Sequence, residues 1–216
     1  MSATAPVAAP AADSPEALIE RLARAGRAAQ RELARLPSEH KAQALRAAAA
    51  ALRADEPAIL AANAQDLANG AANGLSAAML DRLKLDPARL AGIASAVEQV
   101  ADLPDPVGQV IDTTHRPNGL DLSRVRVPVG LIGIIYESRP NVTADAGGLA
   151  MMAGNAAILR GGSEARASNA AIHACLQQGL AEAGLPADAI QLVPISDRAA
   201  VGAMLGAAGL IDIIVP

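Results

Sequence analysis

Residues Val129 to Tyr136 read VGLIGIIY, an almost entirely apolar run. Apolar side chains occupy both alternations of the run, so a strand built from it has no polar face. A strand that is apolar on both faces is typical of a parallel sheet with helices packed on both sides. The stretch therefore predicts an α/β architecture whose central strand lies deep in the sheet.

Three more apolar segments follow Tyr136 at intervals that leave room for a helix between each pair. The predicted strands are 156–159, 190–193 and 211–215, and the predicted helices are 142–153, 163–183 and 197–207. This alternation predicts a Rossmann-like parallel sheet in three αβα layers. Ligands of such sheets bind at the carboxyl ends of the strands, so the chemistry is expected in the strand-to-helix loops.

The chain before this sheet divides into a tail, a helical region and a hairpin. Residues 1–12 are rich in Ala and Pro and predict a disordered tail. Within 13–108, apolar residues at three- and four-residue spacing predict five helices. In 109–128, two extended runs flank Pro117-Asn118-Gly119, and Asn-Gly between such runs is a strong hairpin signal. Residues 129–216 then form the sheet.

Composition excludes several classes of function. The 216 residues carry a formal charge of −4, no Phe or Trp, one Tyr and one Cys. An acidic chain without a basic cluster predicts no nucleic-acid or membrane partner, and a single Cys excludes a disulfide framework and a Cys-based zinc cluster. We expect no metal site. No apolar run is long enough to span a membrane, so a reducing cytoplasm is the expected location.

The loop after the first strand, Glu137 to Thr143, is dense in polar groups. It places Ser138, Arg139 and Asn141 at the carboxyl end of the strand. One interpretation is a substrate or nicotinamide pocket with Arg139 as the anion-binding group. The other is helix capping by Asn141 or Thr143, with Arg139 as a solvated charge. The residues alone favour neither.

The loop after the second strand is Arg160-Gly161-Gly162-Ser163-Glu164. Two glycines let a ligand approach the backbone, and a helix beginning at Ser163 would present free N–H groups to a phosphate beside Arg160. The alternative is an ordinary glycine turn with a Ser cap, which on spacing alone is the commoner case. Cys175, inside the next predicted helix, is expected to pack as a small apolar side chain.

Several motifs together resemble one family. The stretch from Val127 to Thr143 (VPVGLIGIIYESRPNVT) is similar to the signature of γ-glutamyl phosphate reductases, also called glutamate-5-semialdehyde dehydrogenases, of the aldehyde dehydrogenase superfamily. The resemblance runs from about Ser14 to Pro216. The other matching segments are Ala62–Leu67, Leu80–Leu83, Leu103–Gly108, Gly154–Glu164 and Asp197–Val201.

The resemblance implies an NADPH-dependent reduction of L-glutamyl 5-phosphate to L-glutamate 5-semialdehyde with release of phosphate, in proline biosynthesis. In that family a Cys thiolate forms a thioester, which is then reduced. The resemblance also implies a cytoplasmic homo-oligomer that pairs through hairpin 110–127, and a glutamate 5-kinase as a possible partner. It identifies 13–108 as the helical part of the cofactor-binding domain and 129–216 as a dinucleotide-binding half-domain.

Residue roles follow from the same resemblance. Ser138, which stands where the family usually has Ala, lines up with Arg139 and Asn141 in the loop bordering the active site, and Arg139 is the candidate for holding a substrate carboxylate or phosphate. The candidate cofactor-binding residues are Ile134, Ile135, Tyr136, Arg160, Gly161, Gly162 and Ser163.

The length departs from the family pattern, because family members are roughly twice as long. We therefore expect a truncated N-terminal portion whose nucleophilic Cys would lie beyond Pro216, and Cys175 does not match that nucleophile. On this expectation the isolated chain does not turn over. Two alternatives remain open: a dinucleotide-binding fragment without chemistry, or a fragment that interacts with an intact subunit.

Overall fold

A computed structural model describes residues 14–216, and the predicted disordered tail 1–12 lies outside these residues. The helices are α1 (Pro15–Leu33), α2 (Ser38–Ala54), α3 (Glu56–Ala72), α4 (Ala77–Leu83), α5 (Pro87–Ala101), α6 (Asn141–Met152), α7 (Arg166–Glu182) and α8 (Ala199–Gly206). The strands are β1 (Val110–His115), β2 (Asp121–Val125), β3 (Leu131–Ile135), β4 (Ala156–Arg160), β5 (Ile190–Leu192) and β6 (Ile213–Val215).

The central sheet has the strand order β5-β4-β3-β6, and all its pairs are parallel. The chain runs outward from β3 to β5 and then returns to place β6 on the other side of β3. The order therefore reverses between β3 and β6, and at such a switch point the carboxyl ends of the strands leave a crevice. The predicted α/β fold is confirmed.

The two faces of β3 pack against separate cores, which is why its sequence is apolar on both alternations. Ile132 and Ile134 face the larger core, which α2, α5, α6 and α7 complete. Leu131 and Ile135 face the smaller core, to which α1 contributes Ile19 and Ala23 and α8 contributes Ala200 and Met204. Helices on both faces of a parallel sheet give the three-layer arrangement that the sequence predicts.

The predicted helices and strands all exist, but the start of one predicted helix is wrong. The first helix ends at Leu33, and turn residues 34–36 separate it from Pro37. The long helix predicted from Ser163 begins only at Arg166, after a short 3₁₀ turn over Ser163–Ala165. No helix in the described part of the chain is both long and apolar enough to cross a membrane.

Strands β1 and β2 form the predicted antiparallel hairpin, and every one of their residues is exposed. Its tight turn closes with Gly119 at a φ of 87°, a conformation that glycine adopts without strain. At the base of the hairpin, the buried ammonium of Lys41 on α2 pairs with the carboxylate of Asp105. The arm is thus anchored at its base and free of the core along its length.

Helices α2 and α7 approach each other closely at Gly179. A Cβ atom at this position would lie 2.6 Å from the backbone nitrogen of Ala48 and closer still to the carbonyl oxygen of Ala44. Backbone atoms cannot move aside as a flexible side chain can, so the contact requires glycine. The small side chains of α2 let two helix backbones meet in a core without large aromatic residues.

We predict that Gly179→Ala lowers the free energy of unfolding by about 1–3 kcal/mol, because the added methyl group overpacks the α2–α7 contact. The matched control is Gly202→Ala in α8, where a Cβ would meet nothing within 4 Å. That change should raise stability by up to about 1 kcal/mol through helix propensity. Urea unfolding measures both. Equal effects of the two substitutions would contradict the contact.

Candidate functional site

The loops at the carboxyl ends of β4 and β5 enclose a cavity of about 310 Å³, called here the strand-end cavity. The backbone turn Gly161–Ser163 forms one side, and Leu192, Val193 and the loop that follows them form the other. Asn169 and His173 of α7 close its floor. The cavity thus combines an apolar wall with a glycine turn and one buried amide.

Arg160 connects the two loops beside this cavity. Its guanidinium donates to the carbonyl oxygens of Gly161 at 3.1 Å and Ser196 at 3.0 Å. Its Nε is buried and has no hydrogen-bond partner among residues 14–216. The cation is therefore fixed at the edge of the strand-end cavity with one donor unused. Arg166 lines the cavity itself and donates to the carbonyl oxygen of Pro194.

Tyr136, at the end of β3, packs against the glycine turn from behind. A Cβ on Gly161 would lie 3.1 Å from the Tyr136 ring and would clash with the amide nitrogen of Asn169. The Tyr136 hydroxyl contacts the Thr143 hydroxyl at 2.7 Å, and the Thr143 hydroxyl donates to the side-chain Oδ1 of Asn169 at 3.1 Å. This series of hydrogen bonds orients the side-chain NH₂ group of Asn169 toward Gly161 and the cavity. Burial raises the pKa of Tyr136 to about 12, so the hydroxyl stays neutral.

Glu164 joins the two predicted site loops. The Ser138 amide and hydroxyl both donate to Glu164 Oε1, at 2.6 and 2.7 Å. Burial by itself raises the pKa of Glu164, but hydrogen bonds from its own amide and from Ser138, with the charge of Arg160, lower it overall. The carboxylate also lies over Gly162, where a Cβ would overlap it. Ser138 is buried, and its hydroxyl is committed to this contact.

Two of the N–H groups at the amino end of α7 are already bonded to a carboxylate, which differs from the free helix end that the sequence predicts. Asp66 of α3 accepts from the Ala167 amide at 3.2 Å, and from the Ser168 amide and hydroxyl at 2.7 Å each. Gly162 precedes the 3₁₀ turn and Ala165 precedes α7, so Ser163 is the N-cap of neither element. A buried carboxylate therefore occupies the helix terminus, where a phosphate would otherwise be favoured.

Arg139 and Asn141 line a second cavity, of about 490 Å³, between α5 and α6, called here the α5–α6 cavity. The predicted alternative that Asn141 or Thr143 caps α6 is wrong, because α6 has no side-chain cap. Asn141 instead donates to Asp145 at 2.8 Å. Arg139 is exposed and contacts no carboxylate within ion-pair distance in the part of the chain described.

Cys175 packs inside α7 and is 1% exposed, in agreement with its predicted packing role. Burial, followed by the nearby charge of Asp55, raises the pKa of the thiol to about 11. A thiol with such a pKa is almost entirely protonated at neutral pH and is a poor nucleophile.

The geometry can be set beside known proteins. The family model described as aldehyde dehydrogenase family matches residues 2–215. The chain belongs to the aldehyde dehydrogenase family. The fold is similar to the crystal structure of gamma-glutamyl phosphate reductase from Thermotoga maritima. The comparison gives a TM-score of 0.88 at 37% sequence identity and covers 92% of this chain and 48% of that one. The acetylating aldehyde dehydrogenase from Geobacillus thermoglucosidasius shares the fold, with a TM-score of 0.72 at 18% identity over 93% of this chain and 41% of that one.

Curated aldehyde dehydrogenase family relatives of this chain carry the name gamma-glutamyl phosphate reductase. The relative from Novosphingobium aromaticivorans is 72% identical over 205 residues, which are 95% of this chain and 48% of that protein. The relative from Rhodospirillum rubrum is 57% identical over 204 residues, which are 94% of this chain and 48% of that protein. The chain therefore spans about half the length of the curated relatives it matches.

Sequence reasoning missed Asp66, Asn63 and Asp145. The buried positions of α3 are Ile59, Asn63, Asp66 and Gly70, a helical stripe in which two members are polar. Polar side chains on the buried face of a helix need buried hydrogen-bond partners, and this pattern could have identified Asn63 and Asp66. Asn63 indeed bonds to the Leu83 carbonyl oxygen, the Ser168 hydroxyl and the Leu85 amide. Asp145 carries no such signal, because it lies on a half-buried face of α6.

We predict that Asp66→Ala lowers the free energy of unfolding by about 2–4 kcal/mol, because two backbone N–H groups and a hydroxyl lose their buried acceptor. The matched control is Asp86→Ala at the start of α5, where one surface amide is capped at 2.8 Å. That change should cost about 1 kcal/mol. Chemical denaturation compares the two, and equal losses would contradict the proposed weight of the Asp66 contacts.

Proposed function

We propose that these residues form the dinucleotide-binding and substrate-recognition parts of an NADPH-dependent reductase. The reaction is the reduction of L-glutamyl 5-phosphate to L-glutamate 5-semialdehyde with release of phosphate, a step of L-proline biosynthesis. The names and high identities of the relatives support this proposal. The observation that carries it is a pair of separate cavities, one lined by the glycine turn that follows Arg160 and one lined by Arg139.

The strand-end cavity fits one half of a dinucleotide. Its volume of about 310 Å³ lies at the lower end of the range for small-molecule sites. The turn beside the cavity requires glycine, because a Cβ on Gly161 would clash with Asn169 and a Cβ on Gly162 would clash with Glu164. The Arg160 guanidinium is held next to this turn by the carbonyl oxygen of Gly161. In this proposal Gly161, Gly162 and Ser163 hold the adenosine side. Ile134, Ile135 and Tyr136 form the strand end along which the dinucleotide lies.

Arg160 is proposed to select NADPH through the ribose 2′-phosphate. Its guanidinium is already held by two carbonyl oxygens, so it can meet a phosphate without further loss of side-chain freedom. Asp66 neutralises the amino end of α7, so the phosphate must find its cation elsewhere. The bound dinucleotide supplies the hydride of the reaction.

The β3–α6 loop is proposed to border the reacting group. Arg139 would hold a carboxylate or phosphate of the substrate, and the Asn141 amide would donate to an oxygen of the acyl group. Ser138 would act by fixing this loop through Glu164, since its hydroxyl has no free direction toward a ligand. Cys175 is protonated and enclosed, so the thiolate of the reaction would come from outside these residues.

The same proposal includes the domain units, the pairing of the hairpin arm, the location and the partner protein. Residues 13–108 and 129–216 form the cofactor-binding unit, and 109–128 is an arm that pairs with a second copy. The exposed apolar side chains on the arm and its base support pairing, since apolar strand residues left in water favour association. They are Val110, Ile111, Leu120, Leu122, Val125 and Val127. The protein would act in the cytoplasm, with a glutamate 5-kinase as the partner that delivers the labile acyl phosphate.

We predict that the chain binds NADPH more tightly than NADH and that Arg160→Gln weakens NADPH binding roughly tenfold, the effect of one charge-assisted hydrogen bond. NADH binding should change little. Fluorescence titration of the purified chain measures both. Arg166→Gln is the control, since Arg166 lines the same cavity but lies outside the glycine loop. A larger loss of NADPH affinity in that variant would move the phosphate contact to Arg166.

A chimera tests the reaction. We predict that the chain, fused to the remaining residues of the Novosphingobium aromaticivorans relative, reduces NADP⁺ in the presence of glutamate 5-semialdehyde and phosphate. The unfused chain should give no turnover, because its thiol is protonated and buried. Arg139→Ala in the chimera should raise the KM of the semialdehyde about tenfold by removing a charged contact. An inactive chimera that still binds NADPH would favour a dinucleotide-binding module without this chemistry.

A further inference from the structure

Asp145 is the acidic group of the α5–α6 cavity whose charge the protein leaves uncompensated. It lies on α6, one turn after Asn141, and its side chain is half-buried. Its Oδ2 accepts from the Asn141 amide at 2.8 Å, and no cation lies within ion-pair distance of it among residues 14–216. Asp145 therefore lines the cavity with one oxygen bonded to Asn141 and with no positive partner in the described residues.

Asp81, the other acidic residue lining this cavity, is already neutralised. It is exposed, and its carboxylate forms an ion pair with Arg89 at 2.9 Å. Arg89 also donates to the carbonyl oxygens of Asp81 and Lys84, which holds the pair in place. The two acids therefore differ in availability, although both face the same space.

Three cations of the same cavity are unpaired. Arg82 and Lys84, at the end of α4, and Arg139, in the β3–α6 loop, line it without a carboxylate within 4 Å in the described residues. A cavity that offers three free cations and one free carboxylate is complementary to a ligand with several negative charges and one positive charge. An amino acid that carries a terminal phosphate has this pattern of charge.

We propose that Asp145 binds the α-ammonium group of the substrate, while Arg82, Lys84 and Arg139 hold its carboxylate and phosphate. This assignment rests on the proposed function for the identity of the substrate and adds the group that distinguishes an α-amino acid from a simple acyl phosphate. A half-buried carboxylate that gains an ammonium partner forms a charge-assisted hydrogen bond. A ligand that lacks the ammonium leaves the carboxylate desolvated and unpaired, which penalises its binding.

Asn141 positions the Asp145 carboxylate that would distinguish ligands with an ammonium group from ligands without one. The hydrogen bond from its side-chain amide to Asp145 spans one helical turn, i to i+4, and restrains the carboxylate. Burial raises the pKa of Asp145, and the hydrogen bond from Asn141 offsets part of that rise. An ammonium ligand would favour the charged form further. Asp145 is thus a specificity-determining residue that acts beside the reacting group.

The test uses two stable phosphonates that differ only in the amino group, L-2-amino-6-phosphonohexanoate and 6-phosphonohexanoate. Calorimetric titration of the 216-residue chain gives the ratio of their dissociation constants. We expect the amino compound to bind roughly tenfold more tightly, and Asp145→Asn to reduce the ratio to about one. Asn at this position keeps an oxygen for the Asn141 amide, so the cavity retains its shape.

Asp81→Asn is the matched control and should leave the ratio unchanged, because Asp81 is committed to Arg89. A ratio that persists in Asp145→Asn, that collapses in Asp81→Asn, or that is near one in the unaltered chain overturns the assignment. NADPH binding is measured on the same samples. If the unaltered chain binds NADPH and any of these ratios is found, only the Asp145 proposal is overturned. If the unaltered chain does not bind NADPH, the result counts against the proposed function.

Discussion

The Asp66 carboxylate is the interaction on which the geometry of the candidate site depends. It reaches from α3 to the amino end of α7 and satisfies N–H groups that a helix cannot satisfy by itself. Because α7 carries Asn169 and is joined to the glycine turn by one short 3₁₀ turn, the same contact restrains the floor and one side of the strand-end cavity. The helical first half of the chain therefore does more than cover the sheet.

This contact also changes how an anion can be recognised. In many α/β folds the helix terminus after a strand binds the phosphate directly. Here a protein carboxylate occupies that position, and Glu164 occupies the space above Gly162. A phosphate at this edge of the sheet would meet negative charge at both places, so the fixed cation of Arg160 becomes the group that can compensate it.

Local sequence patterns predicted the elements well, because each pattern reports burial of the residues that carry it. The apolar alternations of 129–136 identified β3, and Asn118-Gly119 identified the hairpin. The predicted start of α7 was wrong because the carboxylate that accepts from its first turn, Asp66, lies 102 residues before Ser168 in the chain. For the site, Arg139 and Asn141 of the β3–α6 loop line one cavity, whereas Ser138 of the same loop bonds to Glu164. Asp145 needed the structure, since only the missing counter-charge distinguishes it from any acidic helix residue.

The two halves of the β3–α6 loop have different partners. Ser138 is held by Glu164, which follows the glycine turn, whereas Asn141 is held by Asp145, which lines the α5–α6 cavity with it. Arg139 stands between these two anchors and has no partner of its own in the described residues. A cation with free rotamers between two fixed neighbours can follow a ligand without moving the loop. The loop backbone can therefore stay fixed while its one free charge adapts to what enters the α5–α6 cavity.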